Sequence, residues 1–253
     1  MARSLREISS TGVYHVMLRG VEKRLLFLED ADRKRFLQTI SDAKSTYNFK
    51  LLAWCLMSNH IHLLIEDTDG EISAIMHRID GTYAKYFNEK YGRVGSLFQG
   101  RFKSKPVEDE AYLVVLLAYI HNNPREAGVC SASSYRWSSY HEYVGKARLA
   151  DTSDTLEMLG GVQAFADLVS AGADLSCFDE DGLFDPTVRV NPKVTLALAG
   201  LPEIFEDRAL TREERGRAME ILKSCGYSNK EIGECLGISA STVSRASRKK
   251  QCP

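Results

Sequence analysis

An α+β fold, a ferredoxin-like antiparallel sheet followed by a small all-α helix-turn-helix domain, is predicted by three features of the sequence. Strand-like and amphipathic helical stretches alternate as β-α-β-β-α-β through the first 105 residues, the split-βαβ order. A third helical stretch, apolar nearly all round, follows them. Near the end of the chain, two capping patterns precede a helix, a glycine and a second helix.

Residues 14–18 form an apolar strand-like run that ends at Arg19-Gly20. Residues 30–47 read as a helix, with Phe36, Leu37, Ile40 and Ala43 at helical spacing and acids Asp30 and Asp32 at its positive end. Residues 49–56 and 60–66 are two strands joined by a short turn, hence an antiparallel hairpin. Residues 71–91 form the second helix, with Ile72, Ile75, Ile79, Tyr83, Tyr86 and Phe87 on one stripe. Residues 97–105 alternate as a fourth strand, with Gln99, Arg101, Lys103 and Lys105 on one face and Phe98 and Phe102 on the other. Residues 108–122 form the third helix, which Pro124 is expected to stop. This order leaves one face of the sheet to the first two helices, and the other to the third helix and a site.

The second strand of the hairpin carries His60 and His62. Side chains two apart on a strand share a face, so both imidazoles come within reach of one metal ion while Ile61, Leu63 and Ile65 face the other way. The spacing alone serves a hydrogen-bonded pair as well. Tyr119 lies on the third helix with Tyr112, Leu116 and Asn123 on the same face. Packed over the open side of the sheet, its phenol approaches the imidazoles, where it could attack a phosphorus and hold it covalently. A core tyrosine fits the same position.

The formal net charge is −1, which demands no polyanionic partner, but the distribution is uneven. Residues 1–130, 131–150 and 201–253 each sum to +2, whereas residues 151–200 sum to −7. The six cysteines are scattered with no C-x-x-C pair, which argues against a zinc ribbon or a disulfide scaffold. No apolar run is long enough to span a bilayer, and a cytoplasmic location is expected. Three domains are expected: a catalytic domain over 1–145, an acidic linker with short helices over 146–200, and a helix-turn-helix over 201–253. In the last, Thr211-x-x-Glu214 and Ser228-x-x-Glu231 are capping boxes, and Gly237 separates two short helices. The second would expose Ser241, Thr242, Ser244, Arg245 and Arg248, a face suited to phosphates and base edges of duplex DNA.

Four separated segments together resemble one family. They are Ser58-Asn59-His60-Ile61-His62-Leu63-Leu64, Gly95-Ser96-Leu97-Phe98-Gln99-Gly100-Arg101-Phe102-Lys103-Ser104, Tyr119-Ile120-His121-Asn122-Asn123-Pro124 and Tyr135-Arg136-Trp137-Ser138-Ser139-Tyr140. In this order they resemble the single-tyrosine transposases of the HUH superfamily, and within it the REP-associated tyrosine transposases of the insertion-sequence-200-like group, over roughly residues 9–145. The resemblance implies an HUH endonuclease core in which His60 and His62 bind Mg²⁺ or Mn²⁺. Tyr119 would attack single-stranded DNA, leaving a 5′-phosphotyrosine and a free 3′-hydroxyl. Asn123 stands where many relatives carry Gln as a third ligand. Imidazole softness by itself favours zinc or iron, so the ion follows from the resemblance. The expected partner is single-stranded or hairpin DNA, bound by a monomer or homodimer, with Arg19, Arg101 and Lys103 as the leading phosphate contacts. Two rival readings are a non-catalytic DNA-binding regulator and an HUH replication initiator or relaxase.

Overall fold

The computed structural model describes residues 6–172, 178, 192–198, 210–224 and 227–248. The chain divides into two compact units, Met1–Thr187 and Val188–Pro253.

In the first unit β1 (Val13–Arg19), α1 (Asp30–Lys44), β2 (Lys50–Leu56), β3 (His60–Glu66), α2 (Ile72–Lys90) and β4 (Lys103–Pro106) build one sheet of order β2-β3-β1-β4, antiparallel throughout. The alternation along β1 and β3 sorts their side chains. Tyr14, Val16, Leu18, Ile61, Leu63 and Ile65 join the α1 and α2 stripes, including Phe36, Ile40, Ile75, Ile79 and Tyr83, in one core. The opposite face, with Leu64 and Cys55, packs under α3 (Glu110–Glu126) through Tyr112, Leu116, Leu117, Tyr119 and Ile120. The sheet is therefore covered on both sides, and α3 lies over the histidine face.

Two elements differ from expectation. The fourth strand is only Lys103–Pro106, because Gly100 at φ +82° breaks the extended run; before it, Phe98 makes a single bridge to Gly20. Pro124 does not stop α3, which continues to Glu126. The two helical residues beyond the proline survive because the Ala127 amide donates to Asn123 O and the Val129 amide to Pro124 O.

The edge of β2 is closed by residues 137–139. The Leu56 amide donates to Trp137 O and the Ser139 amide to Trp54 O. Behind that edge come α4 (Tyr140–Tyr143), α5 (Ser153–Leu159) and α6 (Val162–Ala171). The stretch read as the start of a linker thus packs on the first unit. Phe165 stacks on Tyr143 at 4.2 Å, Asn122 Nδ2 donates to Val169 O, and Asp151 takes Lys44 and the Leu51 amide.

Asp32 ties α1 to α2. Its fully buried carboxylate accepts from the Leu28 and Glu29 amides, from Tyr86 and Tyr91, and from Lys90 at 2.6 Å. Burial works to raise its pKa but is outweighed by the hydrogen bonds from Lys90, Tyr91 and the two amides, which hold it at about 2. Asp32→Asn is expected to cost about 3 kcal/mol, the sum of a lost cap and lost charge-assisted bonds. The folded value lies below the unfolded one, so the stabilisation is complete above the ordinary carboxylate range and is lost as pH falls through about 2. Urea titrations should show a constant gap between wild type and variant from neutral pH to pH ~5, narrowing below pH ~4.

In the second unit, α7 (Pro192–Leu198), α8 (Arg212–Ser224), α9 (Asn229–Leu236) and α10 (Ala240–Arg248) share a core of Leu196, Ala218, Leu222, Ile232 and Val243. Both expected capping boxes form, Thr211 with Glu214 and Ser228 with Glu231. Gly237, left-handed at φ +64°, ends α9, and three residues later α10 begins.

Candidate active site

The register of the sheet assembles the site. Antiparallel pairing sets Met17 and Cys55 beside His62, Arg19 beside His60, and His15 beside Leu64. His15 is therefore the diagonal neighbour of His62 on the same face, within reach of a ring-to-ring contact. The two imidazoles stack with centroids 5.2 Å apart, and His15 Nε2 lies 3.0 Å from His62 Nδ1. The sequence reading passed over His15 as part of an apolar strand. The available signal was parity, since His15 alternates with Tyr14 and Val16, which enter the opposite core.

From above, α3 lowers Tyr119 and Asn123, one turn apart, onto the histidines. The Tyr119 ring meets His62 edge-on at 5.3 Å and His15 at 6.2 Å. The Phe178 ring also stacks on it, at 3.7 Å and 11°. Tyr112 is buried in the same cluster two turns earlier. Within the same motif, His121 and Asn122 have structural partners. His121 bridges Leu117 O and Ser139 Oγ, while Asn122 donates to Ala118 O and Val169 O.

A chain of hydrogen bonds orients the histidines. Asn59 Nδ2 donates to Lys23 O, which leaves its Oδ1 facing His60 Nδ1 at 2.8 Å. That carbonyl comes from a strained turn in which Glu22 and Lys23 both have left-handed φ, +55° and +58°. The turn closes on Gly20, where any Cβ would stand 2.1 Å from Arg24 O. With its proton held on Nδ1, His60 presents a bare Nε2 to Asn123 Oδ1 at 3.0 Å. Two acceptors at that distance repel unless a proton or a cation lies between them. Asn123 Nδ2 stands 3.3 Å from His62 Nε2.

Burial lowers the pKa of all three histidines, His15 to about 3 and His62 well below the ordinary value, with His15, His60 and Arg19 adding to the effect at His62. All are neutral at neutral pH, the form that ligates metals. The two Nε2 atoms face the Asn123 amide, 3.0 and 3.3 Å from its oxygen and nitrogen, and with that amide turned they form a donor set suited to a divalent ion. Among the described residues no group of three or more His, Cys, Asp or Glu does so.

Arg19, Gln99, Arg101 and Lys103 line one hollow with Met17 at the margin of this face. Of the aromatic residues at 135–140, all half-buried, Tyr135 donates to Leu56 O, Tyr140 packs on Phe165, and Trp137 lies beside the Arg33 and Arg136 guanidinium groups. Thr242 and Arg245 are exposed on α10; Arg248 ends that helix, and its side chain lies outside the described residues.

Comparison with known proteins gives two kinds of likeness. Residues 9–123 match the family model described as "Transposase IS200 like". A solved structure of a REP-associated tyrosine transposase bound to a REP hairpin is 19% identical, with a TM-score of 0.51, over 58% of this chain and 87% of that one. At that identity the likeness concerns the fold. A transposase-like protein from Deinococcus radiodurans, 18% identical over 48% of this chain and 97% of its own, has a TM-score of only 0.35. No curated protein sequence matches. No helix among the described residues is long and apolar enough to cross a membrane.

Proposed function

We propose, from the match of residues 9–123 to the IS200-like transposase model, that this chain nicks and rejoins single-stranded DNA with Tyr119 as the nucleophile. The observation that carries the proposal is the Tyr119 ring set 5.3 Å from His62 on a helix that also brings Asn123 to both imidazoles.

In the forward step the Tyr119 phenol oxygen bonds to a backbone phosphorus as the bond from phosphorus to O3′ breaks. The phenol releases its proton and O3′ takes one up, leaving a 5′-phosphotyrosine and a free 3′-hydroxyl. Rejoining reverses this, so the phosphodiester is conserved without a nucleotide cofactor. His60, His62 and Asn123 would hold a divalent ion, Mg²⁺ or Mn²⁺. When bound there, that ion neutralises charge on the phosphoryl oxygens. The neutral imidazoles and the strained Glu22-Lys23 turn keep those donors in place before substrate arrives. Arg19, which pairs with His60 across the sheet, would contact the scissile phosphate, and Arg101 and Lys103, in the same hollow as Arg19, the strand leading to it.

The solved relative that binds a REP hairpin favours hairpin DNA as the substrate class. The exposed Thr242 and Arg245 on α10, with Arg248, would add a duplex contact. Residues 1–145 would carry the catalysis and residues 201–253 the duplex contact, in a cytoplasmic monomer or homodimer. The test is incubation of the full chain with a labelled oligonucleotide holding a hairpin and single-stranded flanks, with Mg²⁺ or Mn²⁺. A DNA-linked band that survives denaturing electrophoresis, with the linked peptide mapping to Tyr119, is the expected result. Binding with no such band at any cation concentration would instead mark a DNA-binding regulator.

A further inference from the structure

We propose that His15 is a positioning residue for the cation site, fixing the proton of His62 on Nδ1 and so keeping Nε2 bare. The inference rests on the reading that His60, His62 and Asn123 hold a divalent ion.

One proton lies between His15 Nε2 and His62 Nδ1, which are 3.0 Å apart. A neutral imidazole carries a single N–H. If the shared proton belongs to His15, then His62 accepts at Nδ1, its own proton sits on Nε2, and that nitrogen cannot ligate. If it belongs to His62, then Nε2 is bare and His15 accepts. The second arrangement moves the His15 proton to Nδ1, and Nδ1 is buried with no hydrogen-bond partner among the described residues.

The two arrangements therefore serve different states. Without a cation, a continuous run satisfies every N–H when the Asn123 amide is turned over: His15 to His62, His62 to Asn123, Asn123 to His60, His60 to Asn59. With a cation, the two ligating nitrogens must both be bare, and the protons of His62 and His15 must each move to Nδ1. Asn59 fixes His60 from outside, because its own amide is anchored on Lys23 O. His15 has no such anchor, so its coupling to His62 makes cation capture and tautomer change a single event. A hydrogen bond to the outer nitrogen of a ligating histidine typically changes metal affinity 10- to 100-fold.

The chemistry asks only for an acceptor at the place of His15 Nε2. Glutamine offers one through Oε1, with no ring tautomer to choose. Phenylalanine fills the same volume with no acceptor.

The experiment measures Mn²⁺ binding to the full chain by calorimetry, without DNA, for wild type, His15→Phe and His15→Gln. The expected result is an affinity about 10- to 100-fold weaker for His15→Phe, and a return to wild-type affinity or better for His15→Gln. Nitrogen-15 spectra of the imidazoles should show the His62 proton on Nδ1 in wild type with Mg²⁺. Equal Mn²⁺ affinity in wild type and His15→Phe would overturn the proposal, as would a His15→Gln variant that binds as weakly as His15→Phe. Should His15→Phe fail to fold, the Gln variant and the nitrogen spectra decide by themselves. A wild-type chain that binds no Mn²⁺ sinks the cation site itself, a different outcome from a site that binds and ignores His15.

Discussion

Tyr119→Phe is expected to abolish the covalent DNA adduct, lowering strand cleavage by at least about a thousandfold, as loss of a nucleophile does in other covalent catalysts. The change removes one oxygen. The ring keeps its stack on Phe178 and its edge contact with His62, so the fold should lose no more than about 1 kcal/mol. Loss of cleavage with retained hairpin affinity is therefore the diagnostic pair of results. Tyr112→Phe is the matching control, because Tyr112 occupies the same face of α3 two turns away. Its adduct should persist, and a swap of outcomes between the two variants would move the nucleophile to Tyr112. Gel-resolved adduct yield and equilibrium urea unfolding, on the same preparations, read both quantities.

His60→Ala should be nearly as damaging to cleavage while sparing the fold. His60 begins β3, only partly buried, and its side chain meets Asn59, Asn123 and the edge of the His62 ring. Its loss would remove one of the two proposed imidazole ligands, which should weaken Mn²⁺ binding by more than the roughly 100-fold that an outer partner commands. Excess Mn²⁺ should recover part of the cleavage in His60→Ala and none in Tyr119→Phe. That contrast separates a binding defect from a missing nucleophile. Rescue of Tyr119→Phe by metal would contradict the assignment.

Much of this was legible in the sequence because strand alternation and helical stripes record burial directly. The β3 pattern placed His60 and His62 on the face away from Ile61, Leu63 and Ile65, and the sheet does so. Tyr119 and Asn123 reach that face because i and i+4 on α3 coincide. Three things were not legible, each for a physical reason. His15 looked like one polar residue in an apolar strand, and only the register with β3 sets it against His62. The continuation of α3 past Pro124 depends on carbonyls capped by amides further along the chain, which no local preference encodes. The stretch 151–171 was read through its acidic surplus, although Phe165, Leu168 and Val169 form a helical stripe that is buried. Of the four acids there only Asp167 lies on α6, so the charge count says nothing of that apolar stripe.

The bond from Asn122 to Val169 O, with Phe165 set against Tyr143, has a practical corollary for anyone trimming the chain. A fragment ending at residue 145 would strip the roof from the helix that bears the phenol, baring Tyr143 and leaving the Asn122 amide one acceptor short. A minimal fragment should therefore retain at least residue 171, and fragments cut on either side of α6 ought to differ sharply in solubility.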